Sequence, residues 1–242
     1  MDIKNLRLIV FDIDGTLAET DDYYVDKTAV LLRKVFPFIS RNSMERAVRL
    51  PIMAGETMLH SVYRLLDLVG LDKAISKIHS KVSIKKEYNY HEVCGMRKTL
   101  QTLSEKYIIG IITSGGYRST QAFLEKFDLD KIVSYIISAE DCKYIKPHPM
   151  PLIKIAEAAN VLPENCILVG DTIFDILCAK RAGAYSAAVK TGFDTERFLK
   201  FHKADFILDS VNDLPELLSV RDQDKLSKIE TVKNADKSKD LV

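Results

Sequence analysis

Two aspartates separated by a single residue, Asp12 and Asp14, follow an apolar run at positions 8–10 and precede Gly15. A continuous apolar run of this kind predicts a strand buried on both faces, so the two carboxylates lie where that strand ends. In an open parallel α/β sheet, ligands bind in the crevice beyond the carboxyl ends of the strands. Burial of carboxylates without compensation is costly. The pattern therefore predicts a metal ion or a cationic partner beside them.

The same Asp-x-Asp-Gly pattern occurs in calcium loops and in ordinary turns. A calcium loop of the EF-hand type that began at Asp12 would need a glutamate at its twelfth position. The sequence has Tyr23 there. The EF-hand alternative is therefore excluded, and an ordinary turn remains the alternative for these residues taken alone.

Two further segments carry groups that suit an anion. Thr113-Ser114-Gly115-Gly116 follows a second apolar run, and a hydroxyl followed by glycines with accessible N–H groups suits a phosphate. Lys146 lies in a loop after the apolar run 134–137, and Pro147 stiffens the backbone beside it. A fixed ammonium there could neutralise carboxylates and hold a phosphate oxygen. An ordinary loop and a surface charge are the alternatives.

Two more acids follow the apolar run 166–169. Asp171 lies at the end of that predicted strand, and Asp175 comes four residues later. If a helix begins between them, the two side chains lie on one side of it. Acids in a first helical turn also stabilise the helix dipole. Helix capping therefore remains an alternative to a binding role for this pair.

Strands alternate with helices along the second part of the chain, which predicts crossover connections and a parallel sheet. Between the first strand and this part, positions 19–87 show apolar residues at helical spacing, which predicts a helical insertion. The densely charged segment 221–242 is typical of a solvated tail. The predicted strands are 8–10, 107–112, 134–137, 166–169, 185–189 and 206–208, and the predicted helices are 96–103, 120–127, 152–159, 173–182 and a closing helix from 213.

The composition excludes several classes of protein. The net charge is +1, from 35 basic and 34 acidic side chains, so no overall charge attracts nucleic acid or an anionic membrane. Four scattered cysteines lack the spacing of a structural zinc site. No apolar run approaches the ~18 residues that span a bilayer. Because charged residues lead directly into the first strand, we expect no signal peptide and a cytoplasmic protein.

Taken together, these segments resemble the four motifs of the haloacid dehalogenase superfamily of phosphatases. The segment 12–16 is similar to the first motif, Ser114 to the second, Lys146 to the third and the segment 170–175 to the fourth. The resemblance covers residues 5 to about 218 and is nearest to phosphoglycolate-phosphatase-like hydrolases. It implies an α/β fold, with a Rossmann-like parallel sheet in a catalytic core (1–18 and 88–220), an inserted α-helical cap of the first type (19–87) and a charged tail (221–242).

The resemblance also implies a role for each residue. Asp12 is expected to be the nucleophile, Asp14 the general acid and base, and Lys146 the group that steadies Asp12 and the transferring phosphoryl group. Thr113, Ser114 and Gly115 are expected to bind the substrate phosphate. The expected cofactor is Mg²⁺, and its expected ligands are Asp12, the backbone carbonyl of Asp14, Asp171 and Asp175. For Asp175, a place beside the metal and a pair with Lys146 both remain open.

The function implied is hydrolysis of a small phosphorylated metabolite, with no nucleic-acid or membrane partner. Two alternatives remain open: a sugar phosphomutase, although such mutases commonly have Gly-Val where this chain has Gly15-Thr16, and a catalytically idle binding protein. The resemblance implies that dehalogenases of the family lack the second aspartate, because no phosphate leaving group needs a proton in their reaction. The presence of Asp14 therefore disfavours a dehalogenase. The cap cations Arg46, Arg49 and His60 are candidates for substrate recognition. The sequence does not determine the oligomeric state.

Overall fold

A computed structural model describes residues 5–19 and 90–219. These residues form an α/β unit around a six-stranded parallel sheet with strand order β3-β2-β1-β4-β5-β6. The strands are β1 (Leu8–Phe11), β2 (Ile108–Ile112), β3 (Tyr135–Ile137), β4 (Cys166–Gly170), β5 (Tyr185–Val189) and β6 (Phe206–Leu208). The helices are α1 (Met96–Ser104), α2 (Tyr117–Lys126), α3 (Met150–Ala158), α4 (Ile173–Ala182) and α5 (Glu196–Phe201).

The sheet is buried on both faces, which explains why its central strands are continuously apolar. Ile9 and Phe11 of β1 pack into one apolar cluster with residues of α1 and α2. Leu8 and Val10 point to the other face and pack with residues of α3 and α4. The alternation of side chains along β1 therefore fills both layers of the core.

The predicted fold class is confirmed, and each predicted strand is present within about one or two residues of its expected bounds. The closing helix is also present, since residues 214–219 are helical after a short 3₁₀ turn at Val211–Asp213. Helix α5 was not predicted. Its Leu199 is buried, whereas Phe198 and Phe201 are 43% and 77% exposed, so apolar residues on the solvent side obscure its helical periodicity.

The predicted cap (19–87) lies outside the described residues except for Glu19. The predicted tail (221–242) lies wholly outside them. At the boundary of the cap, residues 17–19 and 91–93 run beside each other. The Glu19 N–H donates to the His91 carbonyl (2.8 Å), and the Val93 N–H donates to the Leu17 carbonyl (3.0 Å). No helix within 5–19 and 90–219 is both long and apolar enough to cross a membrane.

Candidate active site

The three central strands bring the predicted site residues to one edge of the sheet. Phe11, the last residue of β1, pairs with Ile111 of β2 and Val169 of β4. Because all three strands are parallel, the residues that follow them leave the sheet on the same side. Asp12 continues the register, since its N–H donates to the Val169 carbonyl at 2.9 Å. Asp171 follows β4 at the same edge.

Lys146 lies in contact with both Asp12 and Asp175. Its ammonium nitrogen lies 2.8 Å from Asp12 Oδ1 and 2.7 Å from Asp175 Oδ1. The Lys146 and Asp175 side chains are 4% and 2% exposed. The pair with Lys146 that the sequence left open for Asp175 is therefore present. An ammonium this deeply buried is tolerated because two carboxylates face it, and their charges raise its pKa.

Asp175 also shapes the start of α4, so the capping role and the contact with Lys146 coexist. Its Oδ2 accepts hydrogen bonds from the Thr172 hydroxyl (2.6 Å) and the Thr172 N–H (3.1 Å). A Cβ at Gly170 would lie 2.2 Å from Asp175 Cγ, a distance that no real side chain tolerates. The glycine before Asp171 is thus required to admit the Asp175 carboxylate.

The carboxylates of Asp12, Asp171 and Asp175 form a buried cluster that fits a divalent cation. One oxygen from each lies within 4.8 Å of the other two. Burial raises the pKa of Asp12 to about 7 against the opposing effect of Lys146, and burial also raises the pKa of Asp171 well above its usual value. The cluster contains three acids beside one buried ammonium, which contacts two of them, and an oxygen-binding cation such as Mg²⁺ would offset the excess negative charge.

Asp14 lies in the tight turn that follows β1. Gly15 in this turn has a φ of 74°, in the left-handed region that favours glycine, and its N–H donates to the Ala18 carbonyl at 2.8 Å. Asp14 is half-buried, and its charge is near enough to contribute to the raised pKa of Asp12. The turn therefore keeps a second carboxyl group beside the first.

The predicted phosphate-binding residues lie between β2 and α2. Thr113 is buried and its hydroxyl oxygen accepts a hydrogen bond from the Gly115 N–H at 2.9 Å, which orders the loop. The Ser114 side chain is exposed. Helix α2 begins just after Gly116, so its N-terminus and the loop N–H groups offer a positive environment next to Ser114.

Sequence reasoning missed the segment 191–194, which follows β5 at the same edge of the sheet. The Phe193 N–H donates to Asp171 Oδ2 at 2.8 Å. A Cβ at Gly192 would lie 1.9 Å from the same oxygen. A glycine three residues after a predicted strand was the available signal, because Gly115 follows β2 at the same distance.

The cap residues Arg46, Arg49 and His60, which the sequence offers as candidates for substrate recognition, lie outside the described residues. The structure therefore describes the chemistry of the core and leaves these three predictions untested.

Comparison with known proteins identifies one family. The sequence model of the haloacid dehalogenase-like hydrolases matches residues 9–189. Pyrophosphatase PpaX of Bacillus cereus is 28% identical, over 88% of this chain and 97% of the relative. Similar solved structures include a hydrolase from Pseudomonas syringae (TM-score 0.64, 24% identity, 88% of this chain and 98% of that chain). Another is a predicted phosphoglycolate phosphatase from Haemophilus somnus (TM-score 0.60, 19% identity, 89% and 99%). At such identity the two structures support the fold alone.

Proposed function

This chain belongs to the haloacid dehalogenase-like hydrolase family, and on that premise we propose that it is a Mg²⁺-dependent phosphatase that works through an aspartyl-phosphate intermediate. One observation carries the proposal: three buried carboxylates, contributed by the ends of two strands and the start of α4, lie within 4.8 Å of one another. A buried lysine contacts two of them. This concentration of charge suits the transfer of a phosphoryl group, which depends on positioning and electrostatic stabilisation.

Asp12 is the proposed nucleophile. Lys146 holds it through Oδ1, which fixes the orientation of the carboxylate before it meets the substrate. A carboxylate oxygen attacks phosphorus, the bond between phosphorus and the ester oxygen breaks, and an acyl phosphate forms on Asp12. The Lys146 ammonium offsets the repulsion between the carboxylate and the negatively charged phosphoryl oxygens.

Asp14 is the proposed general acid and base. It donates its proton to the ester oxygen as that oxygen departs, and it thereby becomes a carboxylate. The same carboxylate then takes a proton from a water molecule that attacks the phosphorus of the acyl phosphate. Inorganic phosphate leaves, and both Asp12 and Asp14 return to their starting states. Two acids are needed because one carboxylate cannot be nucleophile and proton donor in the same step.

We propose that Mg²⁺ is held by the carboxylates of Asp12, Asp171 and Asp175 and by the backbone carbonyl of Asp14. When bound, the cation would neutralise and orient the phosphoryl oxygens. Asp175 already accepts from Lys146 and Thr172 through its two oxygens, so less of its acceptor capacity would remain for the cation.

The substrate phosphate is proposed to bind at Thr113, Ser114 and Gly115. Thr113 orders the loop by accepting from Gly115, and the exposed Ser114 hydroxyl is the group that reaches a phosphoryl oxygen. The N-terminus of α2 adds a favourable dipole. Lys146 is proposed to contact the same phosphoryl group.

For the substrate, we propose a small phosphorylated metabolite. Its remaining groups would be recognised by the predicted cap (19–87), with Arg46, Arg49 and His60 as candidates, and its phosphate by the predicted catalytic core (1–18 and 88–220). Similarity to a pyrophosphatase over 88% of the chain favours inorganic pyrophosphate as a first compound to test beside carbon-linked phosphate esters. A sugar phosphomutase remains a second candidate.

The test is phosphate release from a panel of pyrophosphate, phosphoglycolate, sugar phosphates and nucleotides, in Mg²⁺ and in EDTA. We expect release that requires Mg²⁺, is abolished in Asp12→Asn, and is retained in the matched control Asp130→Asn, whose side chain is exposed. Conversion of a sugar phosphate to its isomer without phosphate release would favour the mutase. Absence of both reactions across the panel would favour a binding protein.

A further inference from the structure

Asp171 is the most tightly enclosed carboxylate of the site, and two glycines make that enclosure possible. Its side chain is fully buried. A Cβ at Gly15 would lie 2.3 Å from Asp171 Oδ2, and a Cβ at Gly192 would lie 1.9 Å from it. The turn after β1 and the segment 191–194 therefore both press against one oxygen of this carboxylate.

The two oxygens of Asp171 have different surroundings. Oδ2 accepts the Phe193 N–H at 2.8 Å. Within 5–19 and 90–219, Oδ1 accepts a single hydrogen bond, from the Thr16 hydroxyl at 3.4 Å, the outer limit of such a bond. A carboxylate oxygen has two acceptor positions, so Oδ1 retains acceptor capacity for a further partner.

The segment 191–194 is itself anchored at both ends. The Thr191 hydroxyl donates to the Gly15 carbonyl at 2.7 Å, across 176 positions of sequence. Asp194 Oδ2 accepts the Ile173 N–H at 2.6 Å, at the start of α4. One short segment thus ties together the turn that carries Asp14, the Asp171 carboxylate and the helix that carries Asp175.

We propose that the segment 191–194 is a positioning element for the cation site: it holds Asp171 by Oδ2 so that Oδ1 is offered to the cation. This inference rests on the proposed function, because it assumes that Asp171 binds the metal. Groups that orient a metal ligand commonly change metal affinity by about 10-fold to 100-fold when they are removed. Thr191 donates to the Gly15 carbonyl, so its effect on Asp171 is expected to pass through the turn at Gly15.

The test compares Thr191→Val with Thr191→Ser, because valine is nearly the same size as threonine but cannot donate, whereas serine keeps the hydroxyl. Mg²⁺ affinity of the substrate-free full-length protein is measured by isothermal titration calorimetry, and the melting temperature is measured in EDTA. We expect Thr191→Val to weaken Mg²⁺ binding about tenfold and Thr191→Ser to restore most of it.

Equal Mg²⁺ affinity in the wild type and Thr191→Val would overturn the proposal, and so would a lower melting temperature in EDTA with unchanged affinity, which is the mark of a merely structural role. Should Thr191→Val fail to unfold cooperatively, Asp194→Ala measured against Asp194→Asn makes the same comparison at the other end of the segment. Phosphate release is read separately: weaker binding with rescue but no turnover of any substrate would sink the proposed function and leave this inference standing. A wild type that binds no divalent cation would sink both.

Discussion

Replacement of Lys146 by methionine tests whether the ammonium is what permits so many carboxylates to be buried together. Methionine keeps most of the side-chain length and removes the charge. Asp12 Oδ1 and Asp175 Oδ1 then lose a partner at 2.8 Å and 2.7 Å. Removal of one partner from a buried ion pair costs about 3–5 kcal/mol, because it leaves a charge buried and uncompensated.

Protonation limits that cost. A carboxyl whose ordinary pKa is 3.8 can be kept neutral at about pH 7.5 for ~5 kcal/mol, at 1.36 kcal/mol per pH unit. For a chain of this size, 1 kcal/mol shifts the melting temperature by about 2–4 °C. We therefore expect Lys146→Met to melt about 6–20 °C below the wild type in EDTA.

The assay is thermal unfolding by circular dichroism at about pH 7.5 in EDTA, so that no divalent cation masks the loss of charge. Lys131→Met is the matched control, because Lys131 is exposed and the substitution is chemically the same. The control should melt within about 2 °C of the wild type. Equal melting temperatures for the two variants would refute the claim that Lys146 balances the buried acids.

Three further outcomes follow from the site and the core. Asp14→Asn should lower turnover of an alkyl phosphate by about 100-fold to 10,000-fold with an unchanged melting temperature; near-normal kcat would remove Asp14 from the proton transfers. In EDTA, the raised pKa of Asp12 means that its carboxyl stabilises the fold at low pH and that this contribution is lost as pH rises through about 7. The melting temperature should therefore fall between about pH 4 and about pH 7, less steeply in Asp12→Asn, and identical slopes would contradict this. Burial raises the pKa of the Cys166 and Cys178 thiols to about 12. A thiol reagent at neutral pH should therefore modify only Cys94 and Cys142 in the native protein. After unfolding it should modify all four cysteines.

The parts of the fold that sequence predicts well are those in which burial dictates residue type. Strands β1, β2 and β4 are enclosed on both faces, so nearly every position is apolar, and a polar residue at the end of such a run marks the edge of the sheet. That rule placed Asp12, Thr113 and Asp171 at the ends of strands, and the family resemblance assigned them to one site before any distance was known. Helix α4 was predicted with its observed bounds, and in the structure Thr172 caps its start and Gly183 follows its end.

The parts that sequence missed depend on contacts without a residue signature. Phe193 donates a hydrogen bond to Asp171 from its backbone N–H, which almost any residue would provide. Thr191 bonds to a carbonyl 176 positions away. The pairing of Asp175 with Lys146 could not be chosen over a place beside the cation, because both uses need the same carboxylate at the same strand end. The structure shows the contact between Asp175 and Lys146, and the contact of Asp175 with the cation stays a proposal.

The most direct test of the account is to identify the residue that carries the phosphoryl group. Asp14→Asn should accumulate the acyl phosphate with an aryl phosphate substrate, because the aryl leaving group needs no proton whereas the attacking water lacks its base. Borohydride reduces an acyl phosphate on aspartate to homoserine, which peptide mass spectrometry locates. If Asp12 is the nucleophile, we expect homoserine at position 12. Homoserine at another position, or an unmodified Asp12 in protein that releases the aryl alcohol, would contradict it.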